Sequence, residues 1–212
     1  MKGRAGFSPL CDNVSGFRHT TRFTPGKLPH WEVTDGRYFV TVRCADSLLR
    51  PIVERLREIH ESLQRIEPQS DQFAALQRRY FQTMEKHLDA GFGACRLRDP
   101  RAAQPVAAEL AALEEWDVTA PHFSIMPNHW HAMLEPRKSC TRSLSEIMRR
   151  VKGRTARAIN ALIGDQGIFW PREWFDRWMR SDAEFERCVR YIKGNPVKAG
   201  LVRTVGEHAW TR

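Results

Sequence analysis

The sequence predicts an α+β fold in which helices lie on one face of an antiparallel sheet. The periodic segments follow the order strand, helices, two strands, two helices, and the two central strands have the spacing of a hairpin. Strand-like runs are few, and neither an internal repeat nor a break in composition indicates a second domain. We therefore predict one folded domain at residues 37–212, preceded by a surface leader at residues 1–36 that lacks a periodic apolar pattern.

The first half of the predicted domain contains one strand and three helices. Residues 38–42 are a β-branched and aromatic run that ends at a polar corner, which is typical of a strand. Apolar residues then recur at helical spacing between residues 53 and 63 and again between residues 73 and 88. We expect the third helix to begin at Asp99-Pro100, because aspartate is a favourable N-cap and proline suits the first helical turn.

The second half contains a hairpin and two capped helices. Strand-like residues at 118–126 and 129–135 flank a turn at Pro127-Asn128. Two helices follow, and each begins with the capping-box pattern of a serine and, three residues later, a glutamate. The Trp-rich segment between them is predicted to be a link. We expect the last helix to stop near Asn195-Pro196, because the residue before proline disfavours helical geometry.

The positive charge of the chain is concentrated in its last third. Residues 1–136 carry 17 basic and 17 acidic side chains, whereas residues 137–212 carry 17 basic and 8 acidic ones, so the second segment holds the whole net charge of +9. Such a region predicts an anion-facing surface, for which nucleic acid is the commonest partner and a membrane surface the alternative. No signal peptide or run of 18 apolar residues occurs, so we expect no membrane span and a cytoplasmic protein.

The sharpest local feature is a pair of histidines on the returning strand of the hairpin. Side chains alternate across a strand, so His129 and His131 should project from one face while Trp130 projects from the other. Two imidazoles side by side suit a single metal ion. The alternative is that two histidines merely flank a core tryptophan on a half-exposed strand, and the spacing alone leaves both interpretations open.

Tyr191 is the candidate nucleophile in the last helix. Asn195 follows four residues later and should therefore lie on the same helix face. A tyrosine hydroxyl with an ordinary pKa near 10 is a poor nucleophile, so it needs a cation that lowers this pKa or stabilises the charge of the transition state. The histidine pair could hold that cation. The alternative is an amphipathic tyrosine at the edge of the core.

Three segments together resemble a known family. They are MPNHWHAML at residues 126–134, the basic helix LSEIMRRVKGRTARAIN, and FWPREWFDRWMRSDAEFERCVRYIKGNPVKAGLV at residues 169–202. In this order they resemble the HUH single-tyrosine transposases, and specifically the REP-associated tyrosine transposases. With the upstream segments LPHWEVTDGRYFVTVRCADSL and CRLRDP, the resemblance extends over residues 28–210.

The resemblance implies a ferredoxin-like antiparallel sheet with inserted helices, the HUH nuclease fold, in a domain that cuts and rejoins single-stranded DNA beside hairpins. It implies that Tyr191 is the nucleophile, that His129 and His131 bind the metal, and that Asn195 is the third protein ligand. The resulting 5′-phosphotyrosine link conserves the phosphodiester energy, so no ATP is needed. The sequence accordingly contains no phosphate-binding glycine loop.

The implied ligand set also bears on which metal is bound. Imidazoles favour zinc and the later transition ions, whereas an amide oxygen and a substrate phosphate favour Mg²⁺ or Mn²⁺. We therefore expect a divalent cofactor, with Mn²⁺ binding comfortably and Mg²⁺ less tightly.

The expected DNA contacts lie in the basic last third. We expect arginines and a lysine on the first capped helix, two tryptophans of the link and a lysine in the PVKAG turn to contact DNA: Arg149, Arg150, Lys152, Arg154, Arg157, Trp174, Trp178 and Lys198. Part of such a charge run is ordinarily a solvated surface. The two tryptophans could instead pack the two C-terminal helices together.

The sequence is also compatible with two other functions. One is a domesticated protein that binds DNA hairpins without cleaving them, and the other is a replication initiator or relaxase with the same HUH chemistry. The intact set of histidines, tyrosine and asparagine argues against the first. The short chain argues against the second, because such enzymes usually carry additional domains. The expected partner is hairpin-bearing single-stranded DNA, and both a monomer and a homodimer are compatible with the sequence.

Overall fold

The computed structural model describes residues 20–24, 30–33, 36–67 and 70–212, which form six strands and five α-helices. The strands are β1 (Thr20–Thr24), β2 (His30–Val33), β3 (Tyr38–Arg43), β4 (Val118–Met126), β5 (His129–Pro136) and β6 (Phe175–Trp178). The helices are α1 (Arg50–Leu63), α2 (Asp71–Leu88), α3 (Pro100–Ala111), α4 (Leu144–Ile163) and α5 (Asp182–Lys198). None of these helices is long and apolar enough to cross a membrane.

Four strands form one antiparallel sheet in the order β4-β5-β3-β6, and β1 pairs with β2 in a separate sheet. The chain runs from β3 through three helices to β4, β5, α4 and β6, which is the βαββαβ order of a ferredoxin-like fold with extra helices after the first strand. The predicted α+β class and ferredoxin-like sheet are therefore confirmed. At the outer edge of β4, Ser124 forms a bridge with Thr211, so the end of the chain covers this strand.

Helices cover both faces of this sheet, not the single face that the sequence analysis predicted. Val40 and Ala132 pack into one apolar cluster with α3 and α4, whereas Phe39 and Met133 pack into another with α1, α2 and α5. Neighbouring residues of a strand point to opposite faces, and here both faces of β3 and β5 are apolar. Each face therefore needs its own cover. We call these the α3–α4 face and the α2–α5 face.

Strand β6 lies within the segment that was predicted to be a Trp-rich link. It pairs antiparallel with β3, so that Tyr38 lies opposite Trp178 and Thr41 lies opposite Phe175. The strand has four residues, which is too short for an alternating pattern to stand out among so many aromatic and charged neighbours. Its register is fixed by pairing with β3, and sequence periodicity does not reveal that pairing.

The predicted leader also contains regular structure. Strands β1 and β2 pair within it, β2 contacts β6, and Val33 is buried with its backbone N–H donating to the hydroxyl of Tyr38. This end of the leader is therefore packed against the domain instead of lying on its surface. The remainder of the leader, residues 1–19, 25–29 and 34–35, lies outside the described residues, and its boundary at residue 36 stays a prediction.

Helix α5 continues past the point where it was expected to stop. Pro196 lies inside the helix, which ends at Lys198. The N–H of Ala199 still donates to the carbonyl of Asn195, and Gly200 follows with a φ of 70°, a left-handed conformation that glycine adopts without strain. The helix thus ends at this glycine, and Asn195 remains in its last turn.

Arg150 lies in the interface between α3 and α4, although the sequence analysis placed it among the DNA-binding residues. It is 8% exposed, and its guanidinium donates to Glu109 Oε1 at 2.6 Å and to Glu115 Oε2 at 2.9 Å. A third hydrogen bond reaches the carbonyl of Ala112 at 3.0 Å. This prediction was wrong, because the side chain is buried and its charge is balanced by two carboxylates.

Replacing Arg150 should destabilise the fold. We expect Arg150→Ala to lower the free energy of unfolding by about 2–3 kcal/mol, because the change leaves the buried Glu109 carboxylate with only its longer ion pair to Arg154. Urea denaturation measures this change. The matched control is Arg149→Ala at the exposed neighbouring position, which should alter stability by no more than about 0.5 kcal/mol. Equal effects of the two substitutions would contradict the assignment of Arg150 to the core.

Candidate active site

Strand β5 presents two buried histidines on the α2–α5 face of the sheet. His129 and His131 are 1% and 0% exposed, and their Nε2 atoms lie 3.0 Å apart. Trp130 points to the opposite face and belongs to the cluster with α3 and α4. The predicted side-by-side arrangement of the imidazoles is confirmed. The half-exposed strand that the sequence left open does not occur, because these residues are buried on both faces.

Each imidazole is oriented by a polar neighbour through its Nδ1 atom. His129 Nδ1 lies 2.7 Å from Asn128 Oδ1, and His131 Nδ1 lies 2.8 Å from Thr41 Oγ1. The amide oxygen only accepts hydrogen bonds, so Nδ1 of His129 donates and its Nε2 carries the free lone pair. Partners of this kind fix the ring orientation of metal-binding histidines. Both imidazoles are therefore held with Nε2 directed towards the same point.

Neither orienting residue was identified as functional from the sequence. Asn128 was assigned only to the hairpin turn, although its position directly before the two histidines could have drawn attention to it. Thr41 offered no such sign, because it meets His131 through the register of β3 on β5. That register follows from the pairing of strands that are far apart in the chain.

Glu85 of α2 completes a buried group with the two histidines. The ligand atoms of Glu85, His129 and His131 all lie within 4.8 Å of one another. Glu85 is 3% exposed, and its Oε2 lies 3.5 Å from His131 Nε2. Its Oε1 is buried and has no hydrogen-bond partner among the described residues. Sequence reasoning missed Glu85, because nothing local separates it from the other polar residues beside the apolar stripe of α2.

The electrostatics of this group favour binding of a cation. Burial by itself would raise the pKa of Glu85, but His131, His129 and the Tyr191 hydroxyl outweigh burial and lower this pKa to about 2. Burial and the neighbouring His131 lower the pKa of His129 to about 3. At neutral pH the site therefore offers a charged carboxylate and a neutral imidazole, which are the forms that bind metals.

The hydroxyl of Tyr191 donates a hydrogen bond to Glu85 Oε2, and its ring centroid lies 5.4 Å from that of His131. The fold thus brings the predicted nucleophile to the predicted metal-binding pair. Burial and then the Glu85 carboxylate raise the pKa of Tyr191 well above its ordinary value. The phenol is not ionised by these protein groups, which agrees with the expectation that a cation is needed for nucleophilic attack.

Asn195 lies one helical turn after Tyr191 and is 1% exposed. Neither atom of its side-chain amide has a hydrogen-bond partner among the described residues. A buried polar group without a partner costs about 1–3 kcal/mol, so a bound ligand that satisfied this amide would stabilise the site. The role of Asn195 as the third metal ligand stays a prediction. Glu85 is a second candidate for that role.

The donor set fits a divalent cation. Two imidazole nitrogens bound to one ion at about 2.1 Å and at right angles are about 3 Å apart. The observed separation of 3.0 Å between the Nε2 atoms agrees with this value. The buried, unpaired Oε1 of Glu85 adds an anionic oxygen. A set of two imidazoles and a carboxylate accepts Mn²⁺ and other divalent transition ions, and the carboxylate also suits Mg²⁺.

Lys198 is a predicted DNA contact that lies close to the nucleophile. Its Nζ is 5.7 Å from the ring centroid of Tyr191 and forms an ion pair of 2.6 Å with Asp89. Its side chain is 55% exposed, so it can also reach a phosphate in solution. The position supports the predicted phosphate contact, which remains untested.

The other predicted DNA contacts lie in three different environments. On α4, Arg149 and Arg157 are exposed, whereas Arg154 lies 3.4 Å from the carboxylate of Glu109. Lys152 donates to the carbonyl of Arg172, and burial lowers the pKa of Lys152 to about 8. The basic helix therefore has only part of its charge free for DNA.

Trp174 and Trp178 pack against the cluster that contains α3 and α4. Trp178 lies in β6 and Trp174 immediately precedes this strand. The expectation that they pack the two C-terminal helices together was therefore wrong, because α4 and α5 lie on opposite faces of the sheet. Both side chains are half-buried, and base stacking on them stays a prediction.

Residues 103–195 match the family model described as the IS200-like transposases. The matched segment contains both histidines and the tyrosine, and it ends at Asn195. Comparison with curated protein sequences finds no significant match. The family model confirms the resemblance that the sequence predicted. Glu85 lies before residue 103 and is therefore outside the matched segment.

Among solved structures, the chain is similar to a REP-associated tyrosine transposase bound to a REP hairpin. The TM-score is 0.51 at 13% sequence identity, over 86% of this chain and 79% of the other. At this identity the likeness shows a shared fold, the HUH-type fold that was predicted. A candidate transposase from Deinococcus radiodurans R1 gives a TM-score of 0.32 at 11% identity, over 75% of this chain and 89% of the other, which is too low to support an argument.

Removing the hydroxyl of Thr41 should weaken metal binding without removing a ligand. We expect Thr41→Val to lower the affinity for Mn²⁺ about 10- to 100-fold, because His131 loses the partner that fixes its ring. Isothermal titration calorimetry of the metal-free protein with Mn²⁺ measures the affinity.

Thr155→Val is the matched control, because Thr155 is equally buried but binds Trp170 on the α3–α4 face. This variant should bind Mn²⁺ like the wild type. Glu85→Gln serves as the upper reference and should weaken binding at least as much as Thr41→Val. Unchanged affinity in Thr41→Val would show that His131 does not depend on this hydrogen bond for metal binding.

Proposed function

We propose that this chain, whose residues 103–195 match the IS200-like transposases, cuts and rejoins hairpin-bearing single-stranded DNA through a covalent link to Tyr191. The observation that carries the proposal is the hydrogen bond from the Tyr191 hydroxyl to Glu85. This bond joins the nucleophile to the buried carboxylate and histidine group that could hold a metal. A nucleophile next to such a group is the arrangement that metal-assisted phosphoryl transfer requires.

The metal site is proposed to comprise His129, His131 and an oxygen from Glu85 or Asn195. When bound there, Mn²⁺ or Mg²⁺ supplies positive charge that draws electron density from the scissile phosphate. The protein itself holds the imidazoles in place through Asn128 and Thr41. Because the group is buried, water competes little with the substrate for this charge.

Tyr191 and Glu85 carry out the proposed covalent step. The phenol oxygen forms a bond to phosphorus as the bond from phosphorus to the 3′-oxygen breaks, which leaves a 5′-phosphotyrosine. The phenolic proton passes to Glu85 Oε2, which already accepts it in a hydrogen bond. The departing 3′-oxygen takes up a proton from solvent water and becomes a hydroxyl. A second 3′-hydroxyl can attack the phosphotyrosine in reverse, so the strand is rejoined without ATP.

The proposed DNA contacts lie beside Tyr191 and on α4. Lys198 lies beside Tyr191 and is positioned to bind a phosphate near the scissile one, while the exposed Arg149 and Arg157 of α4 can bind phosphates further along the strand. The structurally similar REP-associated tyrosine transposase is bound to a REP hairpin, which supports a hairpin substrate for this chain.

A purely DNA-binding function is the alternative. Burying a carboxylate beside two histidines carries a desolvation cost, and a surface for binding DNA does not need such a group. The contact between Tyr191 and Glu85 therefore supports cleavage.

Loss of the Tyr191 hydroxyl should abolish the covalent intermediate. We expect wild-type protein with Mn²⁺ to form a covalent adduct with 3′-end-labelled single strands that carry a hairpin and randomised flanks, and Tyr191→Phe to form none. Denaturing gel electrophoresis detects the adduct. Tyr80→Phe is the matched control, because Tyr80 is another half-buried tyrosine on the same face and should leave the adduct unchanged.

An adduct that persists in Tyr191→Phe would exclude Tyr191 as the nucleophile. If the wild type binds the hairpin strands but forms no adduct in Mn²⁺ or Mg²⁺, the alternative of a non-cleaving hairpin-binding protein replaces the proposal.

Neutralising the exposed arginines of α4 should flatten the salt dependence of DNA binding. We expect Arg149→Ala combined with Arg157→Ala to reduce the slope of log affinity against log salt by about 1.4, which is two contacts at about 0.7 each for single-stranded DNA. Fluorescence anisotropy at several salt concentrations measures the slope. Arg50→Ala combined with Arg55→Ala, on exposed positions of α1, is the charge-matched control and should leave it unchanged. Equal slopes in all three proteins would show that the α4 charge is only solvated.

A further inference from the structure

A cleft with aromatic walls opens between α2 and α5 beside Tyr191. Phe39 of β3 and Phe175 of β6 line it from the sheet, Phe81 lines it from α2, and Tyr191 lines it from α5. We call this the aromatic cleft. Its volume is about 300 Å³, which is at the lower end of the range of about 300–1,000 Å³ for small-ligand pockets. The cleft is therefore large enough for one flat ring system.

The aromatic surface is continuous from the cleft to the nucleophile. The ring centroid of Phe81 lies 5.0 Å from that of Phe175 and 5.6 Å from that of Tyr191. Tyr191 in turn donates its hydroxyl to Glu85 at the candidate metal site. A strand whose phosphate lies at the Tyr191 hydroxyl can therefore place a neighbouring nucleotide at the cleft.

Four polar side chains of the cleft are free to meet a ligand. Gln77 and Gln82 line it from α2, and neither side chain hydrogen-bonds to another described residue. Arg78 and Arg187 also line it, are exposed, and form no ion pair within the described part of the chain. A third arginine, Arg177, is neutralised by Glu184. The cleft thus combines two free amides with a net positive rim.

We propose that the aromatic cleft binds an unpaired base of the single strand next to the phosphate that Tyr191 attacks. Aromatic side chains stack on the face of any base. Free amide groups can hydrogen-bond to the exposed edge of an unpaired base, and arginines at the rim can bind the flanking phosphates. This inference rests on the proposed function, because it takes the scissile phosphate to lie at Tyr191.

The polar side chains of the cleft distinguish a base from an apolar segment as its occupant. An apolar segment would fill the aromatic walls but would leave Gln77 and Gln82 unpaired, which costs free energy. A nucleotide presents a flat apolar face to the aromatic walls and the polar edge of its base to the two amides. Its phosphates can meet the arginines at the rim. Since α2 is an insertion in the ferredoxin-like order, the cleft depends on a helix that the family match at residues 103–195 does not include.

The experiment compares two single strands that differ only in their bases. Fluorescein-labelled dT12 and a 12-nucleotide abasic strand are titrated with the protein in EDTA, so that no cleavage occurs, and anisotropy gives both affinities. We expect the wild type to bind dT12 about 5- to 150-fold more tightly, which corresponds to the about 1–3 kcal/mol of one stacked base. Phe81→Leu should reduce this ratio by at least 5-fold and leave binding of the abasic strand unchanged.

The matched control is Phe123→Leu, which replaces a half-buried phenylalanine packed against the cluster on the α3–α4 face. It should retain the wild-type ratio, and circular dichroism of both variants checks that they fold. A second variant, Gln82→Leu, should change the relative affinities for dA12, dC12 and dT12 while binding of the abasic strand stays the same.

The proposal is overturned if the wild type shows no preference for dT12, if Phe81→Leu keeps the full preference, or if Phe123→Leu loses it equally. The readout is independent of catalysis. A base preference that depends on Phe81, in a protein that forms no Tyr191 adduct, would leave the cleft assignment standing and remove the cleavage function. If the protein forms the Tyr191 adduct but its base preference does not depend on Phe81, the cleavage function stands and the cleft assignment is removed.

Discussion

Asn128 makes the set of hydrogen bonds on which the site depends. Its Oδ1 accepts from His129, its side-chain nitrogen donates to the carbonyls of Leu88 and Phe92 at 3.1 Å each, and its own carbonyl accepts from Cys44. One buried amide thus ties the hairpin turn to the end of α2 and to the end of β3. Because both the nitrogen and the oxygen of the side-chain amide are engaged, the turn is held in a single orientation.

This anchoring explains how an inserted helix can contribute to a site built on the sheet. Glu85 lies one turn before the end of α2, so fixing that end to the turn brings its carboxylate against His131 and Tyr191. The same helix supplies Phe81 to the aromatic cleft. The candidate metal site, the nucleophile and the cleft are therefore parts of one contact between α2, α5 and the sheet. A change in the position of α2 would alter all three together.

The basic last third of the chain has two different uses. Several of its cations form ion pairs within the protein: Arg150 holds α4 on α3, Arg177 binds Glu184, and Lys198 binds Asp89. Others, such as Arg149 and Arg157, are exposed. Net charge led us to expect nucleic acid as the partner, but it overstated how many individual cations are free to meet such a partner. Lys198 is both exposed and close to the ring of the nucleophile.

The sequence by itself determined the fold class, the side-by-side histidines and the helix that carries Tyr191. These features follow from local periodicity and from motifs whose members are close together in the chain, so the alternation of β5 and the caps of α4 and α5 could be read directly. Only the tertiary structure decided that helices cover both sheet faces, that β6 joins the sheet and that Arg150 is buried. It also decided that Glu85 and Thr41 lie next to the histidines. Each of these depends on the pairing of distant segments. Strand register and helix docking arise from packing over the whole domain, and no local pattern encodes them.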